Sequence, residues 1–275
     1  NQKSVKAING VMKLNAKLDR LGTETAFAVS AQAKAWADKG NKVYPFHLGD
    51  INLPTPSNIR EATNRYMNDA KNGYCASEGI PELRLALAYD VGSRRGVEYA
   101  LDNVVIQPGG KPTIWKFLAT VMNEGDEVLY PNPGYPIYES QIRYQGGVPV
   151  PNSYDETDTG FAIDMDKLSD SITGKTTVLI YNNYQNPMSA SSSLEEMESL
   201  ASLAIEHDLW VLSDDAYFEL RYTDEPPRSI VSIPGMKERT VILYTFSKKF
   251  AMTGWRVGAS IGPERVIRHI ARFNI

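Results

Sequence analysis

Cysteine is almost absent. Cys75 is the only one in 275 residues, so no intramolecular disulfide can form. That usage fits a reducing, cytoplasmic setting. Histidine is nearly as scarce, and His47, His207 and His269 lie far apart. With one thiol and no histidine pair at ligand spacing, a zinc site is not expected. No long apolar run occurs, and the opening stretch NQKSVKAINGVMKLNAKLDR reads as a polar, helical pattern. The sequence therefore reads without a signal peptide or membrane span. Excess positive charge is missing too. The formal net charge of −4 leaves no general footprint for nucleic acid or an anionic membrane. Hydrophobic residues at 42 % and charged residues at 23 % place the chain among globular proteins rather than disordered ones.

What is present is an alternation of periods. Short apolar runs at 103–107, 126–131, 176–181, 209–214 and 240–245 read as strands. Helical patterns lie between them: PTIWKFLATVM, IYESQIRYQGG with a glycine stop, and the amphipathic 194–208. Strand and helix in turn predict an α/β fold of three layers, a mostly parallel sheet flanked by helices and buried on both faces. Ligands of such sheets collect at the carboxyl ends of the strands. Polar candidates fall there five times over. Gly109 and Gly110 follow the first run and Tyr135 lies beyond the second. Asn186 follows the third, Asp214 closes the fourth, and Thr245, Ser247 and Lys248 close the fifth.

Each feature also has a plainer reading. PGGKPT (108–113) is not a nucleotide P-loop, because Val105 stands at the first glycine position and Pro112 follows the lysine. It remains either a tight turn or a helix start that offers backbone N–H groups to an anion. Asp214 and Asp215 read as solvent-facing acids at a helix cap, or as a carboxylate for a protonated ring nitrogen with the Tyr217 phenol nearby. Tyr135 and Tyr74 serve equally well as packing aromatics. In YTFSKKFAMTGWRVG, Lys249 reads as a solvated surface charge. Lys248 sits among groups able to lower an amine pKa, as Schiff-base chemistry requires. Arg256 opposes its protonation and offers a planar fork to a phosphate. No Gly-x-Gly-x-x-Gly follows a strand, which disfavours a nicotinamide-binding protein.

Taken together these stretches resemble the fold-type-I pyridoxal-phosphate enzymes, in particular the class I and II aminotransferases. YTFSKKFAMTGWRVG resembles that family's lysine signature. HLGDINLPTP resembles its N-terminal substrate loop, with Gly49 at the glycine that approaches the substrate carboxylate. GYCASEGIPELRLALA resembles its tyrosine-to-ELR segment. The resemblance implies pyridoxal 5′-phosphate held as an aldimine on Lys248, which then acts as base and acid. It implies a phosphate cup of Gly110 and Lys111 N–H groups with Thr245, Ser247 and Arg256. Tyr135 is then expected to stack on the ring, Asp214 to pair with its nitrogen, and Asn186 and Tyr217 to bind its phenolic oxygen. Tyr74 is expected to reach the partner's cofactor in a homodimer.

The implied activity is amino transfer between an L-amino acid and a 2-oxo acid. Another reaction on the same cofactor, such as β-elimination, decarboxylation, racemisation or an oxidative variant, is the alternative. A non-catalytic regulator is the lesser one, since the roughly forty residues before the matching region carry no basic helix-turn-helix pattern. The implied organisation is an N-terminal arm with part of a small domain at 1–48 and a large cofactor-binding domain at 49–275. The C-terminal small domain, with its substrate-carboxylate arginine, is expected beyond Ile275. One departure stands out: the family usually has Asn-Pro-Thr-Gly where this chain has Asn186-Pro187-Met188-Ser189.

Overall fold

The computed structural model describes residues 13–22, 25–71, 73–158, 160–222, 224 and 226–275. Its elements are α1 (Thr25–Ala37), α2 (Ser57–Asn68), α3 (Pro81–Arg95), β1 (Val104–Gln107), α4 (Lys111–Val121), β2 (Glu127–Pro131), α5 (Ile137–Gln145), β3 (Val148–Asn152), β4 (Tyr154–Thr157) and β5 (Gly160–Ile163). There follow α6 (Met165–Asp170), β6 (Thr176–Asn182), α7 (Leu194–Glu206), β7 (Trp210–Asp214), β8 (Thr240–Thr245), α8 (Phe246–Lys249), β9 (Gly258–Ile261) and α9 (Glu264–Arg272). The five expected strands appear as β1, β2, β6, β7 and β8, each within one residue at either end. Of the polar pattern at 1–20, residues 1–12 lie outside the described residues, and Ala16–Arg20 forms a 3-10 helix.

Seven strands form one sheet in the order β1-β9-β8-β7-β6-β2-β3. The steps β3–β2–β6–β7–β8 are parallel, whereas β9 runs antiparallel to both β8 and β1. Side chains alternate across the strands, which splits the core in two. Leu129, Leu179, Tyr181, Val211 and Ile242 pack with Leu87 and Val91 of α3 and Met197 and Leu200 of α7. Val128, Val178, Ile180, Leu212 and Val241 pack with Ile114 and Phe117 of α4, Ile142 of α5 and Ile267 and Ile270 of α9. The architecture is the three-layer one expected.

Local signals explain the helix ends. Pro81 occupies the first turn of α3, and Gly96 ends that helix in the left-handed region at φ 67°. The Ser193 hydroxyl accepts the Glu196 N–H at the start of α7, and Gly146 at φ 94° provides the stop read after α5. Among the described strands, β3, the β4–β5 hairpin and β9 had no sequence counterpart. Strand β3 carries Pro149 and Pro151, tolerable because it lies at a sheet edge. Strand β9 reads Gly-Ala-Ser-Ile, which has almost no strand propensity, and tertiary packing places it between β1 and β8. Among the described residues no helix is long and apolar enough to cross a membrane.

Candidate active site

The five polar strand ends meet on one rim. Register sets Asn182 beside Asp214 and Asp214 beside Leu243, and it sets Thr245 beside Gly258 and Gly258 beside Gln107. The chain leaves β8 at Thr245, makes the short helix α8, and returns through Arg256 into β9. Lysine and arginine thus flank one return of the chain.

Lys248 is half-buried, and its amine donates to the Gly49 carbonyl. It lies 5.5 Å from the centre of the Tyr217 ring. Burial holds its pKa below the ordinary lysine value; Asp50 opposes this and Arg256 adds to it. Among the described residues no carboxylate lies within ion-pair distance of it. A Cβ placed on Gly49 would stand 3.0 Å from the Tyr217 hydroxyl and 3.8 Å from Lys248 Nζ, so the expected substrate loop does reach this point.

Lys249 contradicts its surface reading. Its ammonium lies 3.1 Å from Asp90 Oδ2 and 3.7 Å from Glu219 Oε1, and its side chain is only 18 % exposed. Sequence reasoning missed this because Asp90 lies on α3 and Glu219 beyond β7, both distant along the chain.

The two acids also depart from the capping picture, since both are buried. Asp214 accepts a 2.6 Å hydrogen bond from the Tyr138 hydroxyl and a 3.1 Å bond from the Ala216 N–H. Burial raises its carboxyl to about 6, and the neighbouring Asp215 charge adds to that, against the pull of those two hydrogen bonds. Asp215 points to the other face of the sheet, where Arg95 meets its carboxylate at 2.6 Å and Ser213 donates at 2.6 Å. Tyr217 follows on the same turn. Burial, then the Asp214 charge, raises its phenol pKa. Tyr138 was missed as a site residue. Its signal is its place one helical turn after Tyr135, with which it packs edge-on at 5.7 Å.

On the other side of the return, Gly109 adopts φ 95°, and a Cβ there would run into the Arg256 guanidinium. A Cβ on Gly258 would stand 2.7 Å from the Gly109 carbonyl and from the Tyr244 carbonyl. Glycine is therefore required at both positions for the close approach. Gly110 and Lys111 open α4, where N–H groups lack helical partners. Thr245 and Ser247 are buried, and their hydroxyls lie 2.9 Å apart. Arg256 itself sits at φ 55° with its Nη1 donating to the Thr253 carbonyl.

Asn186 is half-buried, and its N–H donates to the Asn182 side chain at 2.8 Å. Gln185 holds the loop, donating to the Pro133 carbonyl at 2.7 Å and accepting the Met188 N–H at 2.8 Å. Ser189 adopts φ 59°, so the position where the family resemblance implies glycine keeps a glycine-like backbone here. Asn186, Ser189, Tyr217, Arg221 and Arg228 line a cleft of about 630 Å³ between the loops after β6 and β7. Lys248 and Arg256 lie outside that cleft. Tyr135 is half-buried, with Lys111 Nζ 5.8 Å from its ring centre. Tyr74 is fully exposed and takes no part in this cluster.

These groups fit pyridoxal 5′-phosphate. A side-chain-free cradle beside a guanidinium and two buried hydroxyls suits a phosphate. A buried carboxylate without a cation suits a protonated ring nitrogen. An amine of lowered pKa suits an aldehyde.

Comparison with known proteins agrees. The family described as aminotransferase class I and II matches residues 42–274. An aspartate aminotransferase of Streptomyces avermitilis is 34 % identical over 258 residues, covering 93 % of this chain and 63 % of that protein. A probable aspartate/prephenate aminotransferase of Aquifex aeolicus is 32 % identical, covering 95 % of this chain and 66 % of that protein. The solved aspartate aminotransferase of Thermus thermophilus with maleate superposes with a TM-score of 0.90 at 31 % identity, covering 96 % of this chain and 68 % of that one. The chain thus spans just under two thirds of the length of these curated relatives. With the lysine signature, the strand-end constellation and the full extent of the match in agreement, the chain belongs to the aminotransferase class I and II family.

Proposed function

We propose that this protein moves an amino group between an L-amino acid and a 2-oxo acid, with Lys248 as the group that engages pyridoxal 5′-phosphate and carries the proton. Members of the family use that cofactor. The observation that carries the reading is the division between adjacent lysines. Lys249 is ion-paired, whereas Lys248 presents an amine of lowered pKa beside Gly49 and Tyr217.

Gly110, Lys111, Thr245, Ser247 and Arg256 would hold the phosphate. Tyr135 would pack on the ring. Asp214, oriented by Tyr138, would accept the N–H of the ring nitrogen and favour its cationic form. When bound, the cofactor supplies an electron-poor ring that takes up the electron pair left at the substrate α-carbon. Asn186 and Tyr217 donate toward the phenolic oxygen. Lys248 would take up the α-proton as general base and give it back as general acid. Gly49 lines the place of the substrate carboxylate. The exposed Tyr74 would reach the phosphate of a second copy in a homodimer with shared sites. In this reading the described residues before 49 belong to an arm and part of a small domain, residues 1–12 lying outside the described ones, and 49–275 make the cofactor domain.

The test has two parts. Borohydride reduction of the protein loaded with pyridoxal phosphate, followed by peptide mapping, should label Lys248 and leave Lys249 free. Turnover of an amino acid should then depend on an added 2-oxo acid. Steady product without that acceptor would point to elimination or decarboxylation instead, and a label on Lys249 would overturn the site.

A further inference from the structure

Resting on that reading, we propose that Lys249 is a positioning residue: its ammonium locks the turn that carries Lys248 to the loop that carries Tyr217. Lys249 is the residue after Lys248 on α8, and Glu219 lies two residues after Tyr217. The Lys249 amine sits 3.7 Å from Glu219 Oε1 and 3.1 Å from Asp90 Oδ2 on α3. Arg94, one turn further along α3, closes the ring, with its Nε 2.9 Å from Asp90 Oδ1 and 3.5 Å from Glu219 Oε1. Two carboxylates and two cations thus tie three separate elements together. Arg221 Nη1 stands 4.0 Å from the other Glu219 oxygen. Glu219 and Lys249 are the shielded pair, 17 % and 18 % exposed, while Asp90 and Arg94 are more open. The Asp90 carboxyl stays below its ordinary range although burial opposes this, because Arg94 and Lys249 both hydrogen-bond it. The Arg94 guanidinium is raised in turn, chiefly by its hydrogen bond to Asp90.

The consequence is geometric. Lys248 Nζ and the Tyr217 ring stand 5.5 Å apart, on two segments that share no secondary structure. Backbone contacts fix the base of each, for example Phe250 N–H to Phe246 and Leu220 N–H to Tyr217. The Lys249–Glu219 contact fixes one segment against the other. The network opens to solvent through Asp90 and Arg94, so its contribution to stability is modest. Misplacing a catalytic pair by about 1 Å costs far more in rate, about 100-fold. A positioning role therefore predicts a large kinetic effect with a small change in melting temperature.

The experiment compares Lys249→Met, Lys249→Arg, Glu219→Gln and the Met/Gln double variant, each loaded with pyridoxal phosphate. Lys249→Met should lower kcat by about 10- to 100-fold with a much smaller change in KM. Lys249→Arg should restore most of it. Glu219→Gln should resemble Lys249→Met, and the double variant should be no worse than either. An independent readout needs no turnover: the rate at which acetic anhydride modifies Lys248 in cofactor-free protein, followed by mass spectrometry across pH. With the loop loosened and water admitted, Lys248 becomes a more ordinary amine, and the midpoint of its modification profile should move to higher pH. Additive losses in kcat, or a Lys248 acetylation profile in Lys249→Met identical to wild type, would overturn the proposal. Failure of the borohydride label on Lys248 would overturn the underlying functional reading instead, and the acetylation profile would still decide whether Lys249 positions its neighbour. Should Lys249→Met not fold, Glu219→Gln and Lys249→Arg carry the same comparison.

Discussion

Asp214 and Asp215 are neighbours in sequence and strangers in space. The two-residue period of β7 sends one toward α5 and the other toward α3. Asp215 is neutralised on its own side of the sheet by Arg95, whose guanidinium also stacks 3.7 Å from the centre of the Phe218 ring. Asp214 has a tyrosine and a backbone N–H but, among the described residues, no cation. One acid is complete within the protein, and the other is ready for a charge from outside. The two lysines of α8 repeat the pattern. A doublet of like charges is thus divided into a structural and a chemical member by the face each one occupies.

The comparison predicts opposite signs for two adjacent substitutions. Asp215→Asn strands Arg95 without its partner and should destabilise the cofactor-free protein by about 3–5 kcal/mol, seen as a lower urea midpoint at pH 7. Asp214→Asn should do the reverse. The folded-state pKa of about 6 lies above the usual aspartate value near 3.9, so the native state binds more protons than the unfolded chain between about pH 4 and 6. Wild-type stability therefore falls as pH rises through that window, by up to about 3 kcal/mol at neutral pH. Asp214→Asn should flatten this dependence and raise cofactor-free stability at pH 7, while weakening cofactor-dependent activity. If both substitutions destabilise equally, the division between the acids is wrong. Tyr138→Phe sharpens the contrast, because it removes a donor from the charged form of Asp214 alone. Its cost at pH 7 should be about 1.5–3 kcal/mol, and it should shrink as Asp214 is protonated below pH 5. A rim position remote from both acids gives the smallest effect. Ser189→Gly relieves a left-handed serine and should stabilise by up to about 1 kcal/mol in denaturant titration, independent of pH.

The fold was legible wherever a strand was apolar and β-branched, as in 176–182 and 240–245. It was not legible where neighbours override composition, as in the Gly-Ala-Ser-Ile of β9. The rim residues could be read because open α/β sheets gather ligands at strand ends, a rule of position rather than of residue type. What the sequence could not reveal were partners separated by scores of residues: Tyr138 for Asp214, Arg95 for Asp215, and Asp90 with Glu219 for Lys249. Each is a tertiary pairing without a local signature. Ser189 lies between these cases. Its departure from glycine was visible, but its backbone angle was not.

The antiparallel course of β9 has a further meaning. Because the chain turns back after α8, Lys248 and Arg256 stand on the two arms of one hairpin-like reversal. The amine and the guanidinium are thereby brought close enough for Arg256 to oppose the charge on Lys248. A side chain at 258 would push the two arms apart, since its Cβ would meet the Gly109 and Tyr244 carbonyls. The absence of a side chain at one residue thus sets how closely the amine arm and the guanidinium arm approach.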